Sequence, residues 1–261
     1  MIAFDRFPAH ALFEVAAFAV AAWVYGRGRR ADVLPEQTRG VIVAGAAVGA
    51  LVGSRLLALL EHPGLLDGAG PARTVLLLYA TKTIVGGLLG GLVGVELVKA
   101  WIGERRRSGD AFVYPLVAAI AVGRVGCHLA GVADGTAGLP TDAPWGLDQG
   151  DGVPRHPMAL FEIGVVLALG AALAALERRR PLRPGVRFAL FMTGYLAWRL
   201  GAELLKPVVP LALGLSAIQW ACALGLLQYL RLFSGRRFGP SLFSADRPCT
   251  ASARTPTTTS R

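Results

Sequence analysis

The chain has 261 residues, of which 54% are hydrophobic and only 17% charged. A water-soluble domain usually carries about 25% charged residues, so this composition argues against one. The net charge of +10 sits in short arginine clusters between apolar runs rather than in one basic stretch, which argues against a nucleic-acid partner. Mean hydropathy is +0.51, as expected of a chain lying largely in lipid.

The first apolar run begins near Phe7, after Asp5 and Arg6, and is followed by Arg27, Arg29 and Arg30. That charge order is the reverse of a cleavable signal peptide and predicts an uncleaved first helix with its N-terminus outside. A span needs about 20 mostly apolar residues. The criterion places spans at roughly 9–26, 40–60, 74–101, 111–131, 157–176, 187–206 and 211–232. The third is long enough to be tilted, broken or preceded by a re-entrant piece, and Lys82 near its start favours a break or a polar cavity. The expected fold is therefore all-α, a polytopic membrane helix bundle of about seven transmembrane helices. Residues 1–233 form the membrane domain. The stretch 234–261, rich in Ser, Thr, Arg and Pro, reads as a disordered cytosolic tail.

Loop charges give the orientation. One set of loops holds Arg27, Arg29, Arg30 and Arg39, then Arg105, Arg106 and Arg107, then Arg178, Arg179, Arg180 and Arg183, with Arg231, Arg236 and Arg237 after the last span. The other side has only Arg6, Arg73, Arg155 and Lys206. Basic residues accumulate in the cytosol, which predicts N-out and C-in. The segment from Val132 to His156 then reads as an ordered extracytoplasmic loop.

Charges inside spans are costly and mark a cavity, a pair or a pathway. Glu14, Arg55, Lys82, Glu96, Arg124, Glu162, Arg199 and Glu203 all fall within or at the edge of the predicted spans. Snorkelling from a helix end suits Lys99 and Lys206, but not Arg124 and Arg199, which apolar residues flank. His10 and Glu14, Arg124 and His128, and Arg199 and Glu203 are each four apart and share a helix face. Arg199 and Glu203 either neutralise each other, or Glu203 orients Arg199 toward an anionic ligand. A guanidinium fork suits phosphate oxygens, so this chemistry points to a phospholipid headgroup. Gly86, Gly90 and Gly94 repeat every four residues, as close helix packing requires. A break exposing the amides of Gly86 and Gly87 to an anion is the alternative. Cys127, Cys222 and Cys249 are odd in number and lack metal-type spacing, so neither a disulfide framework nor a metal site is expected, and no cofactor is called for.

Three segments together resemble the bacterial prolipoprotein diacylglyceryl transferase family. Gly123-Arg124-Val125-Gly126-Cys127, followed by Gly131 and Gly135, is similar to its Gly-Arg-x-Gly-Asn signature. Arg155-His156-Pro157 through Leu160-Phe161-Glu162 resembles its Arg-His-Pro-Ser-Gln-Leu-Tyr-Glu stretch, and Gly194-Tyr195 through Arg199 and Glu203 its Gly-Tyr…Arg…Glu pattern. Gly86-Gly87-Leu88-Leu89-Gly90 is similar to its His-Gly-Gly-Leu-x-Gly, and Arg55 and Gln219 fall where the family has similar residues.

The resemblance implies transfer of a diacylglyceryl group from phosphatidylglycerol to the thiol of a lipobox cysteine in a prolipoprotein signal peptide. The reaction makes a thioether and releases glycerol phosphate, at the outer face of the bacterial inner (plasma) membrane. It implies that Arg124 and Arg199 hold the phosphate region, with Glu203, Glu162, Gly86, Gly87, Arg155 and His156 also facing substrate. Some family residues are missing. Val85 replaces the histidine before the double glycine, Cys127 the signature asparagine, Val132 the glutamate after it and Leu12 an early tyrosine, while Met158 and Ala159 replace Ser and Gln. His10 or His128 is then either the substitute base or an interfacial or cavity histidine with no chemistry. The loss of polar groups motivates a second reading, a re-specialised or non-catalytic phospholipid-binding paralogue. A small transporter is the third, although no inverted repeat supports it.

Overall fold

The computed structural model describes residues 7–28, 34–64, 67, 70–207 and 209–234. Arg6, Arg29, Arg30, Arg236 and Arg237, and the expected tail beyond Ser234, lie outside the described residues. The described chain is an all-α bundle of apolar helices: α1 (Phe7–Gly28), α2 (Glu36–Glu61), α3 (Pro71–Ala80), α4 (Ile84–Ile102), α5 (Val113–Ala130), α6 (Met158–Arg179), α7 (Val186–Ala202) and α8 (Ala217–Ser234). Among the described residues, five helical stretches are long and apolar enough to cross a membrane: His10–Gly28, Glu36–Glu61, Ile84–Ile102, Gly109–Asp134 and Met158–Arg179. The protein is a membrane protein.

The third expected span is two helices. Thr81 and Thr83 have extended backbone, and Thr83 caps α4 by accepting from the Gly86 N–H at 3.2 Å. The Thr83 N–H donates to the Ser54 carbonyl of α2 at 3.2 Å, so the break is stitched to its neighbour. Non-helical backbone at membrane depth needs such partners, because lipid supplies none. Lys82, in the break, reaches Glu14 of α1 at 2.5 Å.

Helices α2 and α4 touch backbone to backbone. A Cβ on Gly49 would lie 2.3 Å from the Gly90 carbonyl oxygen, one on Gly90 2.3 Å from that of Gly49, and one on Gly94 2.1 Å from that of Gly45. The glycine row on α4 therefore meets a second row, Gly45, Gly49 and Gly53, on α2. Where lipid removes the hydrophobic drive between helices, this close approach gains dispersion contacts instead.

Helix α7 is the centre of the bundle. Its Phe191, Met192, Tyr195 and Leu196 are fully buried, packed with Val117 and Ile120 of α5, Val166 of α6 and Cys222 of α8. Leu12, Phe18, Leu56, Leu97, Trp101 and Leu224 are more than half exposed, which suits a surface facing acyl chains. Helix α8 starts with a reciprocal cap: the Gln219 N–H donates to Ser216 Oγ at 3.1 Å, and the Ser216 N–H to Gln219 Oε1 at 2.9 Å. Gln219, matched to the family pattern, is thus engaged in capping.

The connections sort to two ends. Asp110, before α5, accepts from the backbone N–H of Gly185 at 2.5 Å and of Phe188 at 2.9 Å, which places the Arg105–Arg107 loop beside the Arg178–Arg183 loop. The segment after α5 holds a two-residue ribbon, β1 (Leu147–Asp148) against β2 (Pro154–Arg155). It docks on the end of α7, where the Leu139 N–H donates to the Leu205 carbonyl at 2.8 Å. Neither lysine read as snorkelling does so. Lys99 is buried and pairs with Glu96 at 2.8 Å, and Lys206 turns inward, 4.0 Å from Glu203. A nearby carboxylate competes with distant water for an ammonium group.

Candidate functional site

Helices α5, α6 and α7 bring their charges to one place. Arg124 of α5, Glu162 of α6, Arg199 of α7 and Glu203, in the 3₁₀ turn that continues α7, are all buried. Buried charges persist only when paired, and these are. Glu162 Oε2 is 2.8 Å from Arg124 Nη2 and 3.8 Å from Arg199 Nη1, and its Oε1 accepts from the Tyr195 hydroxyl at 2.5 Å. Arg199 Nη2 also bonds Glu203 Oε1, which Lys206 approaches.

The pairing is incomplete. Arg124, Arg199 and Lys206 share Glu162 and Glu203, with Asp134 beside Arg124 and the buried Glu61 beside Glu203. The Nε–H groups of Arg124 and Arg199 are buried with no hydrogen-bond partner among the described residues. Buried N–H groups without partners are rare and costly. A cluster with two idle guanidinium donors is equipped to take an anion, and its low dielectric strengthens each contact.

Beside Arg124 lies a second group. Arg124 Nη1 reaches Cys127 Sγ at 3.7 Å, and His10 Nδ1 of α1 lies 3.0 Å from Asp134 Oδ1. Asp134 Oδ2 accepts from Thr136 Oγ1 at 2.8 Å. Helix α1 can come this close because Gly126 has no side chain: a Cβ there would sit 2.7 Å from Phe13 Cβ.

The predicted residues are thus divided. Arg124, Glu162, Arg199 and Glu203 meet, and His10 stands next to them through Cys127. His10 and Glu14, although on one face, take different partners, Asp134 and Lys82. His128 lines a separate recess with Leu129, Asp148, Gln149 and Gly150. Arg155 is tied to Asp151 at 2.8 Å and to the Gly138 carbonyl at 3.3 Å. His156 accepts from Trp145 Nε1 at 3.1 Å, within the loop that covers the end of α7. The Gly86 N–H is used by Thr83 and its Cα by the α2 contact. Val85, Met158 and Ala159, at positions where the family carries polar groups, are packed away in the core, and Leu12 is exposed. Sequence reasoning missed Asp134 and the inward turn of Lys206. No spacing signal marks Asp134, because its contact with His10 joins segments distant in the chain.

Residues 4–233 match the family model for prolipoprotein diacylglyceryl transferase. A protein of Aromatoleum aromaticum, named phosphatidylglycerol–prolipoprotein diacylglyceryl transferase, is 31% identical over 204 residues, 74% of this chain and 76% of the relative. Relatives of the same name from Bordetella parapertussis and Cupriavidus necator are 35% and 34% identical over 50% of this chain. In these two matches the chain spans about half the length of the relative, 53% and 52%. The chain belongs to the prolipoprotein diacylglyceryl transferase family.

Proposed function

We propose that the protein transfers a diacylglyceryl group from phosphatidylglycerol to the cysteine thiol of a prolipoprotein lipobox. The observation that carries this reading is the buried cationic cluster with the two idle Nε–H groups of Arg124 and Arg199. The headgroup phosphate takes those donors, and Glu162 and Glu203 hold the guanidiniums in register. The acceptor sulfur forms a bond to the glyceryl carbon while the carbon–oxygen bond to phosphate breaks. The electron pair leaves on the phosphate oxygen, where Arg124 and Arg199 stabilise it. The thiol must lose its proton for this, and His10, backed by Asp134, stands on the Arg124 side to take part. His128, Arg155 and His156 lie in or beside the segment that docks on the end of α7, and Gly86 lets α4 approach α2 closely.

The cluster works in the outer half of a bacterial inner membrane, within a domain of residues 1–233 that crosses about seven times, N-out and C-in, ahead of a cytosolic tail from 234 to 261. Two facts support the orientation. The loops rich in arginine, 105–107 and 178–183, lie at one end, and the segment 131–157 docks elsewhere, on the end of α7.

The deciding experiment measures transfer of labelled diacylglyceryl from phosphatidylglycerol to a lipobox peptide by purified protein, beside Arg124→Ala. Transfer is expected from the natural chain and a loss of at least about a hundredfold in the variant. A folded protein that binds phosphatidylglycerol without transferring it would support the second reading, a phospholipid-binding paralogue. The apolar Val85 and Leu12, at positions where the family is polar, favour that alternative.

A further inference from the structure

His10, Cys127 and Asp134 come from α1, from the last turn of α5 and from the turn after it, and their ligand atoms all lie within 4.8 Å of one another. We propose that these three side chains form a site for a zinc-type divalent cation, with a fourth position open to the acceptor thiol.

The donor set selects the ion. An imidazole nitrogen, a thiolate sulfur and a carboxylate oxygen suit zinc, whereas calcium and magnesium prefer oxygen alone. In a tetrahedral zinc site the ligand atoms stand about 3.3–3.7 Å apart. His10 Nδ1 and Asp134 Oδ1 are 3.0 Å apart, so a small opening of this pair and a small closure on sulfur reach that geometry. His10 Nδ1 faces Asp134 Oδ1 directly, so a cation between them would take the place of the proton they share. The carboxylate is already oriented, since its second oxygen is held by Thr136 at 2.8 Å, and such outer contacts are how metal ligands are fixed.

Charge balance also fits. A divalent ion with one thiolate and one carboxylate is neutral overall, so it adds no net repulsion beside Arg124. All three residues are partly exposed, His10 and Asp134 with 24% and 11% of their side-chain surface, which leaves a way in. Three protein ligands leave one position free, the arrangement of catalytic rather than structural zinc.

What fills that position rests on the transfer reaction proposed above. A thiol that coordinates zinc gives up its proton to solvent and remains a sulfur nucleophile. Bound here, the lipobox sulfur sits within reach of the cluster that holds the phosphate. It bonds to the glyceryl carbon as the carbon–oxygen bond breaks toward phosphate. The product thioether is a poorer ligand than a thiolate and leaves. His10 contributes as a ligand, and the cation ionises the thiol in place of the polar groups that Val85 and Val132 have replaced.

The test uses the full chain in detergent, loaded with Zn²⁺ or Co²⁺ and desalted. One metal per chain is expected, with a thiolate-to-cobalt absorption band in the Co²⁺ sample. His10→Ala, Cys127→Ser and Asp134→Asn should lose the metal, and Cys222→Ala should keep it, with helix content checked by circular dichroism. Zn²⁺ should also protect Cys127 of the natural chain from alkylation, a readout that needs no variant. A natural chain that retains no metal and gains no protection overturns the site. For the thiol, lipobox peptide should shift the cobalt spectrum, and chelation should slow transfer by about tenfold or more. Metal-stripped protein that transfers at the full rate overturns the role in transfer and leaves the transferase reading intact. A loaded, correctly ligated protein that transfers nothing overturns the transferase reading and leaves the cation site standing.

Discussion

Glu162 touches Arg124, Arg199 and Tyr195 at once, so its charge holds the cluster together. Glu162→Gln keeps the size and removes the charge, leaving two buried guanidiniums short of a counter-ion. The expected cost is about 3–5 kcal/mol, read as a lower melting temperature in detergent. Tyr195→Phe removes one hydrogen bond and should cost about 1 kcal/mol. An unchanged melt for Glu162→Gln would mean that the cluster is not paired as described. A different carboxylate shows the opposite regime. Glu104, in the loop before α5, is half-buried, and hydrogen bonds from Arg106 hold it down at about 2 against an ordinary 4.5. Its folded value is depressed, so its contribution is present above the ordinary value and is lost as pH falls through about 2. Arg106→Ala should return the titration of Glu104 toward 4.5, visible in the carboxyl carbon shift of labelled protein.

At the scale of elements, the α2–α4 pair is the tightest contact and the easiest to break. Gly49→Ala drives a methyl group into the Gly90 backbone, whereas Gly40, on the same helix, has nothing within 4 Å of where its Cβ would be. Gly49→Ala should destabilise by about 1–3 kcal/mol, and Gly40→Ala should be neutral or slightly stabilising, because alanine also favours the helix. Equal thermal shifts in the two variants would count against close packing there. The glycine row on α4 was legible from spacing alone. Its partner row was not, because periodicity shows that a face is small without showing which helix meets it. The break at Thr81–Thr83 was half legible: Lys82 marked a polar point, but the hydrogen bonds to Ser54 that sustain it are tertiary.

For the whole molecule the open question is which end faces out. Asp151→Cys should react with a membrane-impermeant maleimide in intact cells, and Arg106→Cys only after permeabilisation, each measured against the natural chain. The reverse pattern would invert the proposed orientation and put the anion-binding cluster at the cytosolic side. The positive-inside bias is a property of all loops taken together.

From the sequence by itself come the membrane class, the approximate helices and the four charged residues that meet at the centre. Apolar length and the cost of intramembrane charge are local properties that composition and spacing report. The pairing of those charges was decided only by tertiary structure, which sets Glu162 of α6 between arginines of α5 and α7. The same holds for the meeting of His10, Cys127 and Asp134. Their separation in the chain hides it, and only the packing of α1 against α5 at Gly126 brings the imidazole to the thiol.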